Sequence, residues 1–246
     1  MNVHFLALVS GAFLIASTSF SLAGIEAVSL ADPALASGIS GNGLSATPDL
    51  SPDGRFVVFS SSANNITPDD NNVWLDVFLR DRQSGTTTLI SANTNGLGGN
   101  GYSGSPSLST NGAWVAFESD ASDLTDGDTN RTSDVFVRNT TLGLTTLVSV
   151  NTNGTSANGA STFPIITPDG RFVAFESTAT DLVTNNCAGG IINIYLRDLV
   201  NNTTALASVS TNELDGGNAD SKLAGVSPDG RYVLFTSAVR NLYPPI

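Results

Sequence analysis

A six-residue signature returns along this chain at nearly constant spacing, and no other feature limits its fold as strongly. It reads Ser51-Pro52-Asp53-Gly54-Arg55-Phe56, then Thr167-Pro168-Asp169-Gly170-Arg171-Phe172, then Ser227-Pro228-Asp229-Gly230-Arg231-Tyr232. A divergent copy, Ser109-Thr110-Asn111-Gly112-Ala113-Trp114, stands between the first two, so the spacings are 58, 58 and 60 residues. Other landmarks keep step. Pro48, Pro106 and Pro164 precede the signature, with Ala224 in the fourth place. Downstream, Asp76-Val77-Phe78-Leu79-Arg80 matches Asp134-Val135-Phe136-Val137-Arg138 and Asn193-Ile194-Tyr195-Leu196-Arg197. Thr87-Thr88-Leu89-Ile90-Ser91 likewise matches Thr145-Thr146-Leu147-Val148-Ser149 and Thr204-Ala205-Leu206-Ala207-Ser208. A period of this length means one supersecondary unit repeated along the chain.

Each unit holds four short strand patterns separated by turn residues, called A to D in chain order. Strand A precedes the Pro-Asp-Gly turn and strand B follows it. Pro suits position i+1 of a type I turn, and Gly supplies the left-handed residue that closes the hairpin. Strand B is diagnostic. Phe56-Val57-Val58-Phe59 and Phe172-Val173-Ala174-Phe175 are apolar at every position. A sheet with one wet face would alternate apolar and polar residues, so both faces of these sheets must be covered. Four-stranded sheets repeated in sequence and packed face to face describe a β-propeller. A parallel β-helix fits less well, because its rungs are shorter and carry no such hairpin turns. The expected fold is therefore all-β: a propeller of four-stranded antiparallel blades, with three full repeats and a partial fourth.

At the Ser/Thr-Pro-Asp-Gly-Arg copies that begin at Ser51, Thr167 and Ser227, each followed by an aromatic and a β-rich run, the chain resembles the TolB-like, or WD40-like, family of propeller repeats. The resemblance covers residues 40 to 240. It implies an exported bacterial propeller, periplasmic or secreted, that binds proteins or envelope components. No segment is available for the extra N-terminal α/β domain of TolB.

The domain plan follows. Phe5 to Phe20 is largely apolar and uncharged, and Ser21-Leu22-Ala23 places small residues where a signal peptidase cuts, so residues 1–23 read as a signal peptide. Residues 24–246 form the repeat domain, with units at about 46–103, 104–161 and 162–221 and a partial unit at 222–246. Residues 25–31 resemble a lone strand D that could close a ring. Joined to the last unit they supply D, A and B, but C is missing. Two readings stand: a small propeller with one incomplete blade, or part of a longer propeller left open here.

Composition then removes several functions. The chain carries 22 acidic and 10 basic residues, for a net charge of −12, with Lys222 its single lysine. Nucleic acid is not an expected partner, since its binding rests on neutralised phosphates. Anionic membrane surfaces are disfavoured for the same reason, and insertion of the mature chain into a membrane is not expected. The one histidine, His4, lies in the signal segment. A mature chain without histidine cannot build a Ser-His-Asp or Cys-His site. Cys187 is the one cysteine, which rules out an internal disulfide.

Candidate chemistry is concentrated in the loops between strands B and C. Asp126, Asp128 and Asn130 place oxygen ligands at alternate positions ahead of Asp134, like the start of a calcium loop. These four are the candidate calcium ligands; an ordinary Asx-rich turn is the alternative. No other cofactor is expected. Glu118 and Glu176 occupy one strand B position in two units, where Ser60 and Thr236 stand in the others. Paired acids can hydrolyse glycosides, but an incomplete set favours a structural role. Arg55, Arg171 and Arg231, and likewise Arg80, Arg138 and Arg197, are expected to brace local carboxylates such as Asp53, Asp81 and Asp198. The functional expectation is a non-catalytic exported propeller that binds a protein or an envelope glycan. The alternatives are a polysaccharide-active propeller hydrolase or lyase, and a calcium-stabilised adhesive repeat protein.

Overall fold

The computed structural model describes residues 4–9, 12–17, 25–32, 40–239 and 241–242. Three four-stranded antiparallel sheets follow one another. Blade 1 contains β4 (Ser45–Leu50), β5 (Phe56–Ser61), β6 (Asp76–Asp81) and β7 (Thr86–Leu89). Blade 2 contains β8 (Ser103–Leu108), β9 (Trp114–Ser119), β10 (Asp134–Asn139) and β11 (Leu144–Leu147). Blade 3 contains β12 (Ser161–Ile166), β13 (Phe172–Ser177), β14 (Asn193–Asp198) and β15 (Thr203–Leu206). A fourth sheet holds only β16 (Ser221–Val226) and β17 (Val233–Ser237), the A and B strands of the partial unit. The fold is the small, open β-propeller that the repeats predict.

The signature turn is closed by its own side chains. Ser51 Oγ donates to Asp53 Oδ1 at 2.6 Å, while the Phe56 amide donates back to Ser51 Oγ at 2.9 Å. Asn111 does the work of the aspartate in the divergent copy, accepting from Ser109 Oγ and the Ala113 amide. Beyond the turn, strands B and C place aromatic residues opposite each other: Phe59 and Phe78, Phe117 and Phe136, Phe175 and Tyr195. The paired rings stack with centroids 5.7–5.8 Å apart.

The cores lie between blades. Val58, Val77 and Ile90 of blade 1 pack with Val115, Phe117 and Phe136 of blade 2. Ala116, Val135 and Val148 of blade 2 pack with Val173, Phe175 and Tyr195 of blade 3. Alternate residues of each strand B thus face opposite neighbours, which is why the strand is apolar throughout. The turn glycines permit this close approach. Gly112, at φ 66°, sits so near that a Cβ there would meet the Phe56 ring at 2.7 Å. Gly170 stands in the same way against Trp114, and Gly230 against Phe172.

Val28 and Ser29 are fully buried at the entrance to blade 1. The Gly41 amide donates to the Ser29 carbonyl at 2.9 Å, as the Gly99 amide does to the Ser91 carbonyl at 3.1 Å. The segment therefore ends as a strand D would before the next blade. Its pairing differs from the closing-strand expectation: β3 (Ile25–Ala27) pairs with β2 (Ala12–Ser17), which pairs with β1 (His4–Val9), and none of them joins the fourth sheet. At the other end, Tyr232 and Leu234 are each 68% exposed, where their counterparts in the earlier blades are covered by the next blade.

Candidate functional site

The innermost strands share a deliberate irregularity. The A–B register shifts between Ala46 and Asp49, between Gly104 and Ser107, between Thr162 and Ile165, and between Leu223 and Gly225. Each is a β-bulge, a device that re-aims side chains. In three of the strands the bulge puts a non-glycine residue in the left-handed region: Thr47 at φ 44°, Ser105 at 47° and Phe163 at 51°. Such strain is held only where surrounding structure enforces it, and it gathers at functional places.

These bulges line one cavity of about 490 Å³ on the axis, bounded by Thr47, Ser105, Phe163, Glu176, Lys222 and Leu223 together with the prolines inside three of the bulges. Phe163 is 57% exposed there, although it is a large apolar side chain. Glu118 holds it in place: the Phe163 amide donates to Glu118 Oε2 at 2.8 Å, and Ser105 Oγ donates to Oε1 at 2.9 Å. Glu176 repeats the device one blade on, accepting from the Leu223 amide at 2.8 Å. Burial raises the Glu176 carboxyl above the usual glutamate range, and the charge of Lys222 partly opposes this. In blade 1 Ser60 takes the place of the glutamate and bonds Thr47 Oγ1 at 2.7 Å. Each glutamate thus ties one blade's strand B to the next blade's strand A, the structural role expected of them.

The four candidate calcium ligands do not all converge. Asp134 is fully buried, and Asn130 Nδ2 donates to its Oδ2 at 2.7 Å and to the Ala157 carbonyl at 2.7 Å. Asn130 Oδ1 is taken by the Thr132 amide. Asp128 faces Asp134, and burial raises both carboxyls, Asp134 to about 7. Asp126 stays exposed and lines a different groove, with Arg138. Among the described residues no group of three or more histidine, cysteine, aspartate or glutamate side chains surrounds a metal-sized space.

The signature arginines behave as expected. Arg55 grips Asp81 with Nε and Nη2, the latter at 2.7 Å, and Arg171 grips Asp198 with Nη2 at 2.8 Å. Arg231 turns to Asp229 at 2.6 Å. The strand C arginines correct the expectation. Arg80, Arg138 and Arg197 pair with no carboxylate among the described residues; each donates Nη1 to a strand D threonine hydroxyl, Thr87, Thr145 or Thr204. Cys187 lies in a loop yet is buried, and Tyr195 donates its hydroxyl to Sγ at 3.4 Å.

Two features of the site go beyond the sequence reading. One is that Asp70 and Asp76, visible in sequence as the blade 1 counterpart of the Asp128 loop, face each other as a carboxyl pair. Burial raises Asp70 to about 6, and burial with the charge of Asp70 raises Asp76 to about 7. The other is Phe163, whose signal was available: an aromatic stands where the equivalent units carry Thr47 and Ser105.

No family model and no curated protein matches the sequence. Solved structures do share the fold. TolB from Acinetobacter baumannii matches over 98% of this chain and 50% of its own length, with a TM-score of 0.51 and 17% identity. A putative TolB from Agrobacterium tumefaciens matches over 98% of this chain and 68% of its own, with a TM-score of 0.53 and 18% identity. The chain therefore spans half the length of the first of these proteins. At these identities the likeness is one of fold, a TolB-like propeller, as the repeat signature implied. Among the described residues no helix is long and apolar enough to cross a membrane.

Proposed function

We propose that this chain is an exported, non-catalytic propeller whose axial end binds a protein or envelope-glycan partner. The observation that carries this reading is Phe163: an exposed aromatic on a strained backbone, fixed by a buried glutamate at a cavity mouth. A rigid aromatic anchor of this kind is what binding hot spots use. The acids that could otherwise serve glycoside hydrolysis, Glu118 and Glu176, are occupied by backbone amides of the neighbouring blade. Export rests on the signal-like residues 1–23, and Gly24 is the expected N-terminus of the processed protein.

The test compares the wild-type chain with Phe163→Ala in capture from envelope extract, followed by direct titration of the recovered partner. A partner bound by the wild type and lost from Phe163→Ala, with the melting temperature kept, supports the reading. Turnover on a polysaccharide panel that disappears in Glu118→Gln would replace it with the hydrolase. Calcium binding by the Asp128 loop is a second reading, favoured by Asp128 Oδ1, a buried oxygen without a hydrogen-bond partner. A rise in melting temperature with millimolar calcium, absent from Asp128→Asn, supports it, and no rise ends it.

A further inference from the structure

Three equivalent grooves run along the flank of the propeller, apart from the axial cavity. Each lies between a blade's C–D hairpin and the D–A connection of the segment before it, and their volumes are about 580, 540 and 690 Å³. Half-buried strand C arginines line all three: Arg80 and Arg138 the first, Arg138 the second, and Arg197 alone the third. Burial lowers the pKa of Arg138 and of Arg197, at Arg197 against a partial opposing pull from the charge of Asp198, so each guanidinium sits where an anion would relieve it.

The grooves differ in their acids. Asp32 and Asp69 line the first, and Asp126 lines the second. No carboxylate lines the third, so Arg197 is its one charged group in a chain of net charge −12. Arg197 spends only Nη1 on the protein, at 3.1 Å from Thr204 Oγ1, which leaves Nε and Nη2 without a protein acceptor among the described residues. Thr184, Asn185 and Asn202 add hydroxyl and amide groups to the walls, and Leu182 and Val209 make an apolar floor. A planar guanidinium fork matches a carboxylate, neutral hydrogen-bonding walls match hydroxyls, and an apolar floor matches the face of a sugar ring.

We propose that the groove between blades 2 and 3 binds a carboxylate-bearing sugar residue, with the carboxylate on Arg197 and the ring hydroxyls on the threonine and asparagine walls. The site is independent of the axial cavity and stands or falls without it.

The experiment is calorimetric titration of the full chain with glucuronic acid and short uronate oligomers, against glucose and neutral oligomers of equal length. Uronates should bind at least about tenfold more tightly than their neutral counterparts, as expected for a charge-assisted bidentate contact. Arg197→Gln should lose that preference, while Arg138→Gln, in the acid-lined second groove, should keep it. Asn202→Asp should also lose uronate binding. It sets a carboxylate beside the groove at a φ of 54° that aspartate tolerates, and it leaves the Arg197–Thr204 contact intact. This second variant decides the matter if Arg197→Gln fails to fold. Equal binding of neutral and acidic sugars, no uronate binding, or acetate binding as tightly as uronate would each overturn the proposal.

Discussion

Blades 1 and 3 build the same buried junction with different chemistry. In blade 1, Asp76 Oδ1 accepts from Ser91 Oγ at 2.5 Å, and Ser91 Oγ accepts from the Val77 amide at 2.9 Å. In blade 3, Asn193 Oδ1 accepts from Ser208 Oγ at 2.8 Å, and Ser208 Oγ accepts from the Ile194 amide at 3.0 Å. The junction ties strand C to the end of strand D, and what it requires is an acceptor oxygen. Charge is optional, and each choice carries a different penalty. Asp76 buries a carboxyl beside Asp70, which is why its pKa rises to about 7. Asn193 avoids the charge but leaves its Nδ2 buried without a partner. The repeat conserves geometry, while each blade settles its own electrostatics.

The largest expected effect tests the aromatic pair above this junction. Phe78→Ala should cost about 3–5 kcal/mol in urea unfolding, because a fully buried ring leaves a cavity. Its blade 3 counterpart Tyr195→Phe should cost only about 1 kcal/mol, the loss of a hydroxyl proton that the Ala179 carbonyl and Cys187 Sγ share as acceptors. Equal costs would mean that the two pairs are not packed alike.

The second test separates a covered turn from an uncovered one. Gly54 and Gly170 share left-handed φ values of 70° and 78°. Alanine at either should cost about 1–2 kcal/mol for the backbone alone. At Gly170 the new Cβ also enters the Trp114 indole, whereas at Gly54 the nearest group is Arg82 Nη1 at 3.7 Å. Gly170→Ala should therefore lower the melting temperature clearly more than Gly54→Ala, and a reversed order would discount the blade contact.

The third test concerns pH. The folded pKa of Asp76 lies above the unfolded value, near 3.9, so the native state holds the extra proton between about pH 4 and 7. Stability should accordingly fall as pH rises through that window. Asp76→Asn, which copies blade 3, should flatten the slope between pH 4.5 and 7.5 in urea titrations; an unchanged slope would show that Asp76 does not carry it. Asp81 and Asp198 act oppositely. Their arginine partners hold the carboxyls well below the usual range, so their contribution is lost only as pH falls below about 4.

The smallest effect should come from the exposed pair in blade 3. Arg171 is 42% exposed where it meets Asp198. Salt bridges of this kind contribute little, so Arg171→Gln should shift unfolding least of the series, and less in high salt than in low.

Much of this molecule was legible before any coordinates. The period, the hairpin turns and the doubly apolar strand B are short-range patterns, and each follows from local backbone preference or from the two-residue alternation of a strand. The Arg55–Asp81 and Arg171–Asp198 pairs were within reach because both partners recur at fixed repeat positions. The strand C arginines misled the same logic, since nothing local shows that their neighbours in space are threonines rather than acids. Asp126 shows the limit of such patterns as well: alternation along a loop does not by itself bring side chains to one point, and Asp126 stays exposed in the groove with Arg138 while Asp128 and Asp134 are buried.

The repeat, the four-strand unit and the face-to-face packing were thus written in the order of residues, because the periodicity of apolar and turn positions is a one-dimensional property. Contacts between blades were not. Glu118 finds the Phe163 amide 45 residues away, Asp49 accepts from the Leu108 amide 59 residues away, and Arg197 bonds Thr204 in a groove that no carboxylate lines. Such partnerships depend on how far each sheet is turned against its neighbour, a distance in space that spacing along the chain does not encode.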